Sequence, residues 1–290
     1  MPLFYPPMLG TLWREEWPIN WYYEVKWDGI RALLYLEEGG WRLLSRRGQL
    51  LNHAFPALEE LRSAFSFLPV VLDGELVAFD QQGRLSFSAI LKQIQGKQTL
   101  PWYYWVFDCL HLGKPLLHLP LRERKEKLAR SFPLHPLAGP VQWYQGEEQA
   151  RLLWQKIKEL ELEGMMAKDP ESPYLPGKRS QHWLKIKREQ RLELSILGFT
   201  WENRPVSSLL VGEIGPAGEK KVRGKVNCSL PAPRYQALVQ LLRALTLEQE
   251  GNIFWVQPLL IAEVAYLELT AANQLRHPRL LGIRKQEEKK

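Results

Sequence analysis

Lys26 has the most chemically suggestive setting in this chain. It stands in Glu24-Val25-Lys26-Trp27-Asp28-Gly29-Ile30-Arg31, bounded by aromatic and apolar residues where a strand enters an Asp-Gly turn. Desolvation and neighbouring cations both favour the neutral amine, and a neutral lysine is a nucleophile. The K-x-D-G string alone is short enough to recur by chance, and on its own it reads more readily as a hairpin whose lysine faces water. A second feature is Trp183-Leu184-Lys185-Ile186-Lys187. Alternate residues of a strand share a face, so Lys185 and Lys187 can both point into one phosphate pocket. Carboxylates follow Gly74 at Glu75 and precede Gly164 at Glu163. No G-x-x-x-x-G-K-[ST] string occurs, which disfavours a kinase built on a phosphate-binding loop.

The elements expected to hold these residues are mostly strands in the first half. WYYEVKWDGIRALLYLE reads as two strands flanking the Asp28-Gly29 turn, and GGWRLLSRRGQ as a strand ending in a glycine turn. PVVLDGELVAFD reads as an apolar run split by Asp73-Gly74, and WYYWVFDCLHL as another strand. Helices are expected over HAFPALEELRSAF, over LRERKEKLARSF, and over EEQARLLWQKIKELELEG, the last ended by Gly164. After WLKIKRE the pattern changes to short strands around LELSILGFT, LLVGEI, KKVRGKVNCSL and FWVQPLLIAEVAYLELT, with one helix over RYQALVQLLRAL. That composition suggests a small barrel such as an OB-fold. The boundary is placed near residue 189, giving domains 1–188 and 189–290. The closing KQEEKK is expected to be a solvated tail.

Composition narrows the class. The 290 residues suffice for two compact domains, and 45% hydrophobic with 24% charged residues is ordinary for a soluble globular protein. Twelve Trp, ten Tyr and ten Phe can build large cores or stacking surfaces. The formal charge of +7 favours polyanionic partners. Basic residues cluster at Lys178, Arg179, Lys185, Lys187 and Arg188, and again at Lys220, Lys221, Arg223 and Lys225. Either cluster reads as a solvated face or as a phosphate-binding surface. The two cysteines, Cys109 and Cys228, lack metal-ligand spacing and fit a reducing cytoplasm. The N-terminal stretch lacks signal-peptide order, and the most apolar late segment is broken by Gln257, Pro258, Glu263 and Glu268, which is wrong for a membrane span.

Taken in order, these strings resemble the covalent nucleotidyltransferases, the superfamily of DNA ligases, RNA ligases and mRNA capping enzymes. Lys26-Trp27-Asp28-Gly29-Ile30-Arg31 matches the family's K-x-D-G-x-R motif, which makes Lys26 the residue that accepts the nucleotide. The resemblance implies that Glu24 reads the purine edge, that Arg31 contacts the ribose side, and that Arg46 of Ser45-Arg46-Arg47-Gly48 is the next motif's arginine. It assigns Glu75 to a ribose hydroxyl or a metal-bound water, and Phe107 to stacking on adenine. Glu163-Gly164-Met165-Met166-Ala167-Lys168 matches E-G-x-x-x-K, which makes Glu163 a second metal-associated carboxylate and places Lys168 near phosphates or DNA. Lys185 and Lys187 would stabilise charge on the phosphoryl oxygens. The implied cofactors are ATP and Mg²⁺, with Mn²⁺ as the alternative metal.

The finer resemblance is to the ligase domain of bacterial DNA ligase D, and it runs from Pro7-Met8-Leu9 to Arg276-His277-Pro278-Arg279-Leu280-Leu281-Gly282-Ile283-Arg284. It implies an α+β fold, an ATP-grasp-like nucleotidyltransferase domain of mainly antiparallel sheets with helices, followed by an all-β OB-fold barrel. Arg276 or Arg284 would orient the leaving pyrophosphate. Asp169 departs from the family at a place where arginine is common, and Gly224-Lys225-Val226-Asn227-Cys228 replaces a more glycine-rich stretch. The implied function is sealing of 5′-phosphate and 3′-hydroxyl breaks in double-strand break repair by end joining. The implied partners are nicked or broken duplex DNA, a Ku-like end-binding protein and a separate repair polymerase, with no membrane. A cytoplasmic, nucleoid-associated monomer is expected. The alternative is an RNA ligase or another polynucleotide nucleotidyltransferase.

Overall fold

The computed structural model describes residues 5–270 and 272–286, so the last four residues of the expected tail lie outside it. The chain divides into two compact units, Met1–Lys187 and Arg188–Lys290.

The first unit is built on two sheets. One has the order Leu9–Trp13, Arg179–Lys187, Gly164–Lys168, Tyr22–Val25 and Trp143–Gln145. The other has the order Gly40–Ser45, Ile30–Glu37, Val70–Ala78, Trp102–Leu112 and Lys114–Pro115, with Ala138–Pro140 running parallel to Trp102–Leu112. The two strands expected around Asp28-Gly29 both form, but they belong to different sheets and do not pair with each other. The K-x-D-G segment is therefore a crossover between sheets and not a hairpin. Gly29 is required there: a Cβ at this position would lie 2.0 Å from the carbonyl oxygen of Leu76.

Strand periodicity sorts the side chains. Along Ile30–Glu37, Ala32, Leu34 and Leu36 enter the core beneath the second sheet with Phe55, Leu58, Leu61 and Ile90. Leu33 and Tyr35 point the other way and pack with Met8, Val71, Leu110, Tyr174 and Trp183. Truncating one such fully buried leucine to alanine costs about 2–5 kcal/mol. In the first sheet Tyr23, Met165, Ala167, Leu184 and Ile186 face the helix Glu147–Glu159, which buries Ala150, Leu153 and Ile157 at helical spacing. Their sequence neighbours Glu24, Met166, Lys168, Trp183 and Lys185 are left on the opposite face.

Three local expectations need correcting. Asp73-Gly74 makes no turn, because Val70–Ala78 is one continuous strand paired on both sides. HAFPALEELRSAF forms two 3-10 segments, Asn52–Ala54 and Pro56–Glu60, before a single α-helical turn, Leu61–Ala64. The long helix stops at Glu159, where Leu160 caps it and Glu161 adopts φ 53. Gly164 instead opens the next strand, with φ 152 and its α-carbon so close to Ile186 that a Cβ would sit 2.2 Å from that carbonyl oxygen.

The second unit is a curled antiparallel sheet. Its long strand Gln190–Thr200 pairs successively with Leu260–Tyr266, Ser208–Ile214 and Ile253–Val256. Lys220–Asn227 and Arg279–Lys285 extend the two sides and approach each other, so the sheet bends towards closure around Ile196, Phe199, Leu209, Val211 and Val264. The helix Ala232–Ala244 packs Leu238 and Leu242 against this core. This is the OB-fold arrangement, and the whole chain is α+β, a two-sheet domain with helices followed by an all-β barrel. Among the described residues no helix is long and apolar enough to cross a membrane.

Candidate active site

A cavity of about 190 Å³ opens within the first unit where the two sheets present their alternate faces to each other. The first sheet and its neighbouring segments contribute Glu24, Lys26, Met166, Lys168, Trp183 and Lys185. The second contributes Arg31, Glu75 and Phe107, and Arg46 follows the end of strand Gly40–Ser45. Eight of the residues singled out from sequence therefore line one space, although they span positions 24 to 185. Five of the eight are cations and two are carboxylates, so the cavity suits an anionic ligand.

Lys26 follows directly on strand Tyr22–Val25, and its backbone N–H donates to the Gly164 carbonyl at 2.9 Å. Its ammonium hydrogen-bonds Glu163 Oε2, while Lys187 Nζ takes Glu163 Oε1 at 2.6 Å. Burial raises the Glu163 carboxyl pKa, but the charges of Lys26 and Lys187 outweigh it and hold the group below the usual carboxylate range. Lys185 is pushed down to about 8, first by burial and then by the charges of Lys26, Arg179, Lys187 and Arg46. Glu75 is pushed up to about 8 by burial, which Lys26 and Arg31 only partly offset.

Arg31 is locked in place. Its Nε and Nη2 donate to the two oxygens of Asp73 at 2.9 and 2.5 Å, and Nη1 donates to the Met8 carbonyl at 2.5 Å. The Tyr174 hydroxyl donates to Asp73 Oδ2 at 2.7 Å, and the guanidinium lies 5.2 Å from the Phe107 ring centroid. Asp73 is fully buried, so this bidentate pair is charge-assisted and fixed in geometry.

Glu24 is only 1% exposed and carries two lysines. Lys168 Nζ pairs with Oε2 at 2.7 Å from the cavity side, where it also lies 4.3 Å from the Phe107 centroid and 4.2 Å from that of Trp183. Lys125, on the helix Leu121–Ser131, pairs with Oε1. Burial and the charge of Lys125 depress the Lys168 ammonium to about 8, against the pull of Glu24. Trp27 stacks on Trp105 with centroids 4.9 Å apart and planes 4° from parallel, which stiffens the segment beside Lys26.

Arg276 and Arg284 lie in the second unit and are described there alone. Arg276 ends the short strand Leu275–Arg276 and is exposed; Arg284 donates to Glu193 Oε2 at 2.7 Å. Asp169, the departure from the family pattern, accepts the backbone N–H of Glu171 and sits 2.8 Å from His182 Nδ1, so it shapes a turn. Sequence reasoning missed Asp73 as the anchor of Arg31, and missed Lys125. The second had a signal. Leu121, Arg124, Lys125 and Leu128 stand at i, i+3, i+4 and i+7, the buried stripe of a helix, and two of them are charged.

Among the described residues no group of three or more His, Cys, Asp or Glu side chains is placed to hold a metal by itself. Glu163 is near enough to Glu75 to raise its cost of ionisation, and the charge of Lys26 favours the ionised form of both. Two carboxylates beside a cation-rich cavity fit Mg²⁺, which would complete its shell with phosphate oxygens and water.

Comparison with known proteins gives this geometry a family. Residues 11–187 match the model described as ATP dependent DNA ligase domain, and residues 202–287 match ATP dependent DNA ligase C terminal region. The chain is 31% identical over 283 residues to DNA ligase 2 of Haloquadratum walsbyi, covering 90% of this chain and 46% of that protein. It is 30% identical to the multifunctional non-homologous end joining protein LigD of Pseudomonas aeruginosa, covering 98% of this chain and 36% of that one. It thus spans less than half the length of these curated relatives. The crystal structure of the ligase domain from M. tuberculosis LigD is similar over 97% of this chain and 95% of that one, with 30% identity and a TM-score of 0.56. The chain belongs to the ATP-dependent DNA ligase family.

Proposed function

We propose that this protein seals 5′-phosphate/3′-hydroxyl breaks in duplex DNA through a lysyl-AMP intermediate on Lys26. The observation that carries this reading is the placement of the Lys26 ammonium at a cation-rich cavity, held by Glu163 on a carboxylate shared with Lys187.

The chemistry follows from the positions. Attack needs the neutral amine, so Lys26 must give up a proton to solvent, and the contact with Glu163 Oε2 orients its amine at the cavity. Lys26 Nζ then attacks the α-phosphorus of ATP; the bond to the β-phosphate oxygen breaks and pyrophosphate departs. Lys185 and Lys187 stabilise negative charge on the phosphoryl oxygens, which is the main demand of phosphoryl transfer. Glu24 reads the adenine edge, Phe107 covers its face, and Arg31 with Arg46 binds the ribose and phosphate side. Mg²⁺, or Mn²⁺ in its place, would be held by Glu75 and Glu163 and would supply further charge neutralisation. AMP next passes to the 5′-phosphate of a break, and the adjoining 3′-hydroxyl displaces it. The roles of Arg276 and Arg284 in orienting pyrophosphate rest on the family resemblance.

The likeness to end-joining ligases supports a role in double-strand break repair, with a Ku-like end-binding protein and a separate repair polymerase as partners. Incubation with α-³²P-ATP and magnesium tests the central claim. One AMP adduct at Lys26, discharged on adding nicked duplex DNA with appearance of sealed strand, is the expected result. No adduct, or an adduct discharged only by nicked RNA, overturns it.

A further inference from the structure

One side chain outside the cavity lining ties together the two residues proposed to contact adenine. Lys125 Nζ pairs with Glu24 Oε1 and also donates to the backbone carbonyl of Phe107 at 3.1 Å. Its side chain is 3% exposed and Glu24's is 2%, so neither charge has water to fall back on. The helix that carries Lys125 is itself fastened. Adjacent Arg124 donates through Nε and Nη2 to both oxygens of Asp108, each at 2.8 Å, with both side chains fully buried. Asp108 follows Phe107 in the strand Trp102–Leu112, so helix and stacking residue are one rigid piece.

The two lysines on Glu24 are not equivalent. Lys168 lines the cavity and reaches Glu24 from that side, whereas Lys125 comes from the helix packed on the second sheet and contributes nothing to the lining. A base edge entering the cavity competes with Lys168 for Glu24 Oε2. It leaves the Lys125 contact on Oε1 untouched.

We propose that Lys125 is a positioning residue for purine selection: it fixes the Glu24 carboxylate and the Phe107 backbone relative to each other, so that the edge and the face of the base are read from one anchored frame. The inference rests on the assignment of Glu24 and Phe107 to adenine made above. Without the Lys125 ammonium, Glu24 has one cation in place of two and binds Lys168 more closely, which blocks the edge-reading oxygen.

The test compares ATP with purine riboside triphosphate, which lacks the 6-amino group, in lysyl-adduct formation by the full chain. Wild type should favour ATP. Lys125→Met should raise the KM for ATP about tenfold and cut the preference for ATP by a similar factor, the size expected for losing a charged buried hydrogen bond, while the rate at saturating nucleotide is kept. Lys125→Arg should restore most of the preference. A purely structural role would lower both nucleotides' rates together and leave the preference unchanged, and that result overturns the inference. If Lys125→Met does not fold, the comparison of Glu24→Gln with the double variant decides, because with Glu24 neutralised Lys125 has no carboxylate left to position. Adding Lys125→Met to Glu24→Gln should change the preference no further; an additive change contradicts the proposal. Absence of any adduct in wild type would instead refute the proposed function, so the two failures are distinct.

Discussion

Lys26 and Glu163 are 137 positions apart in the chain, yet the lysine Nζ hydrogen-bonds the carboxylate, whose other oxygen holds Lys187. The contact exists because Gly164, lacking a side chain, lets the strand that follows Glu163 pass directly against the backbone of Ile186. Lys26→Ala should therefore abolish AMP adduct formation while leaving the fold intact. The ion pair retains 18% and 19% side-chain exposure, and partly exposed pairs contribute about 1 kcal/mol or less. Lys26→Arg keeps the pairing but has no nucleophilic amine, so it should be equally inactive with a denaturation midpoint close to wild type. Intact-mass analysis after incubation with ATP and magnesium checks both variants, and a labelled adduct on either would remove Lys26 from the chemistry.

Glu75 gives a pH-dependent prediction. Burial lifts its carboxyl from 4.5 to about 8, so the folded protein keeps a proton that the unfolded chain has released. A group raised in the folded state contributes stability that is complete below 4.5 and is lost as pH rises through about 8. Glu75→Gln cannot titrate, so it should become progressively more stable than wild type across that window. The gap should reach the order of 2–4 kcal/mol above it, discounted because the cavity admits water. Magnesium should narrow the gap by stabilising wild type more than the variant, which keeps only Glu163 of the two carboxylates. Urea midpoints measured from acid to alkaline pH decide this, and a gap independent of pH would show that Glu75 is ionised throughout.

The alternation of Lys185 and Lys187 with Leu184 and Ile186 was legible in the sequence, because a strand's period of two is the strongest local signal there is. The same period placed Glu24, Lys168 and Trp183 opposite the core residues beside them. What the sequence concealed was partnership. Asp73-Gly74 looks like a turn because nothing local reveals that strands 30–37 and 102–112 will pair on both sides and hold it extended. Asp73 then becomes the anchor of Arg31 only through a contact 42 positions away. The helix expected over HAFPALEELRSAF is likewise replaced from Pro56 to Glu60 by a tight 3-10 segment under the sheet.

Lys187 offers a separation of chemistry from DNA affinity. Its ammonium lies 2.6 Å from Glu163 and keeps 22% exposure. Lys187→Ala should lower the adenylation rate by about 10²-fold or more, the usual effect of removing a group that stabilises charge in the transition state. Affinity for nicked duplex DNA should change by about twofold, since at most one phosphate contact is lost. Single-turnover adenylation and equilibrium binding on the same preparations make the comparison, and equal losses in both would reassign Lys187 to the DNA surface.

The second basic cluster does not act as one surface, and the structure predicts how it divides. Arg223 points inward, 6% exposed, donating to Glu213 at 2.8 Å and to Asn273 at 2.7 Å. Lys220, Lys221 and Lys225 of the same strand are exposed, although Lys225 is engaged by Glu202 at 2.6 Å and Lys220 lies 5.0 Å from the Trp255 ring centroid. Lys221 is the residue with most to offer a phosphate. Lys221→Ala should weaken nicked-duplex binding and reduce the slope of log K against log salt by about one, with no change in stability. Arg223→Ala should do the reverse: it leaves Glu213 and Asn273 without their donor and should lower stability by about 1–3 kcal/mol while the salt slope stays the same. Titrations of labelled nicked DNA at several salt concentrations, paired with thermal melts, separate the two. A salt slope that falls for Arg223→Ala but not for Lys221→Ala would reverse the assignment.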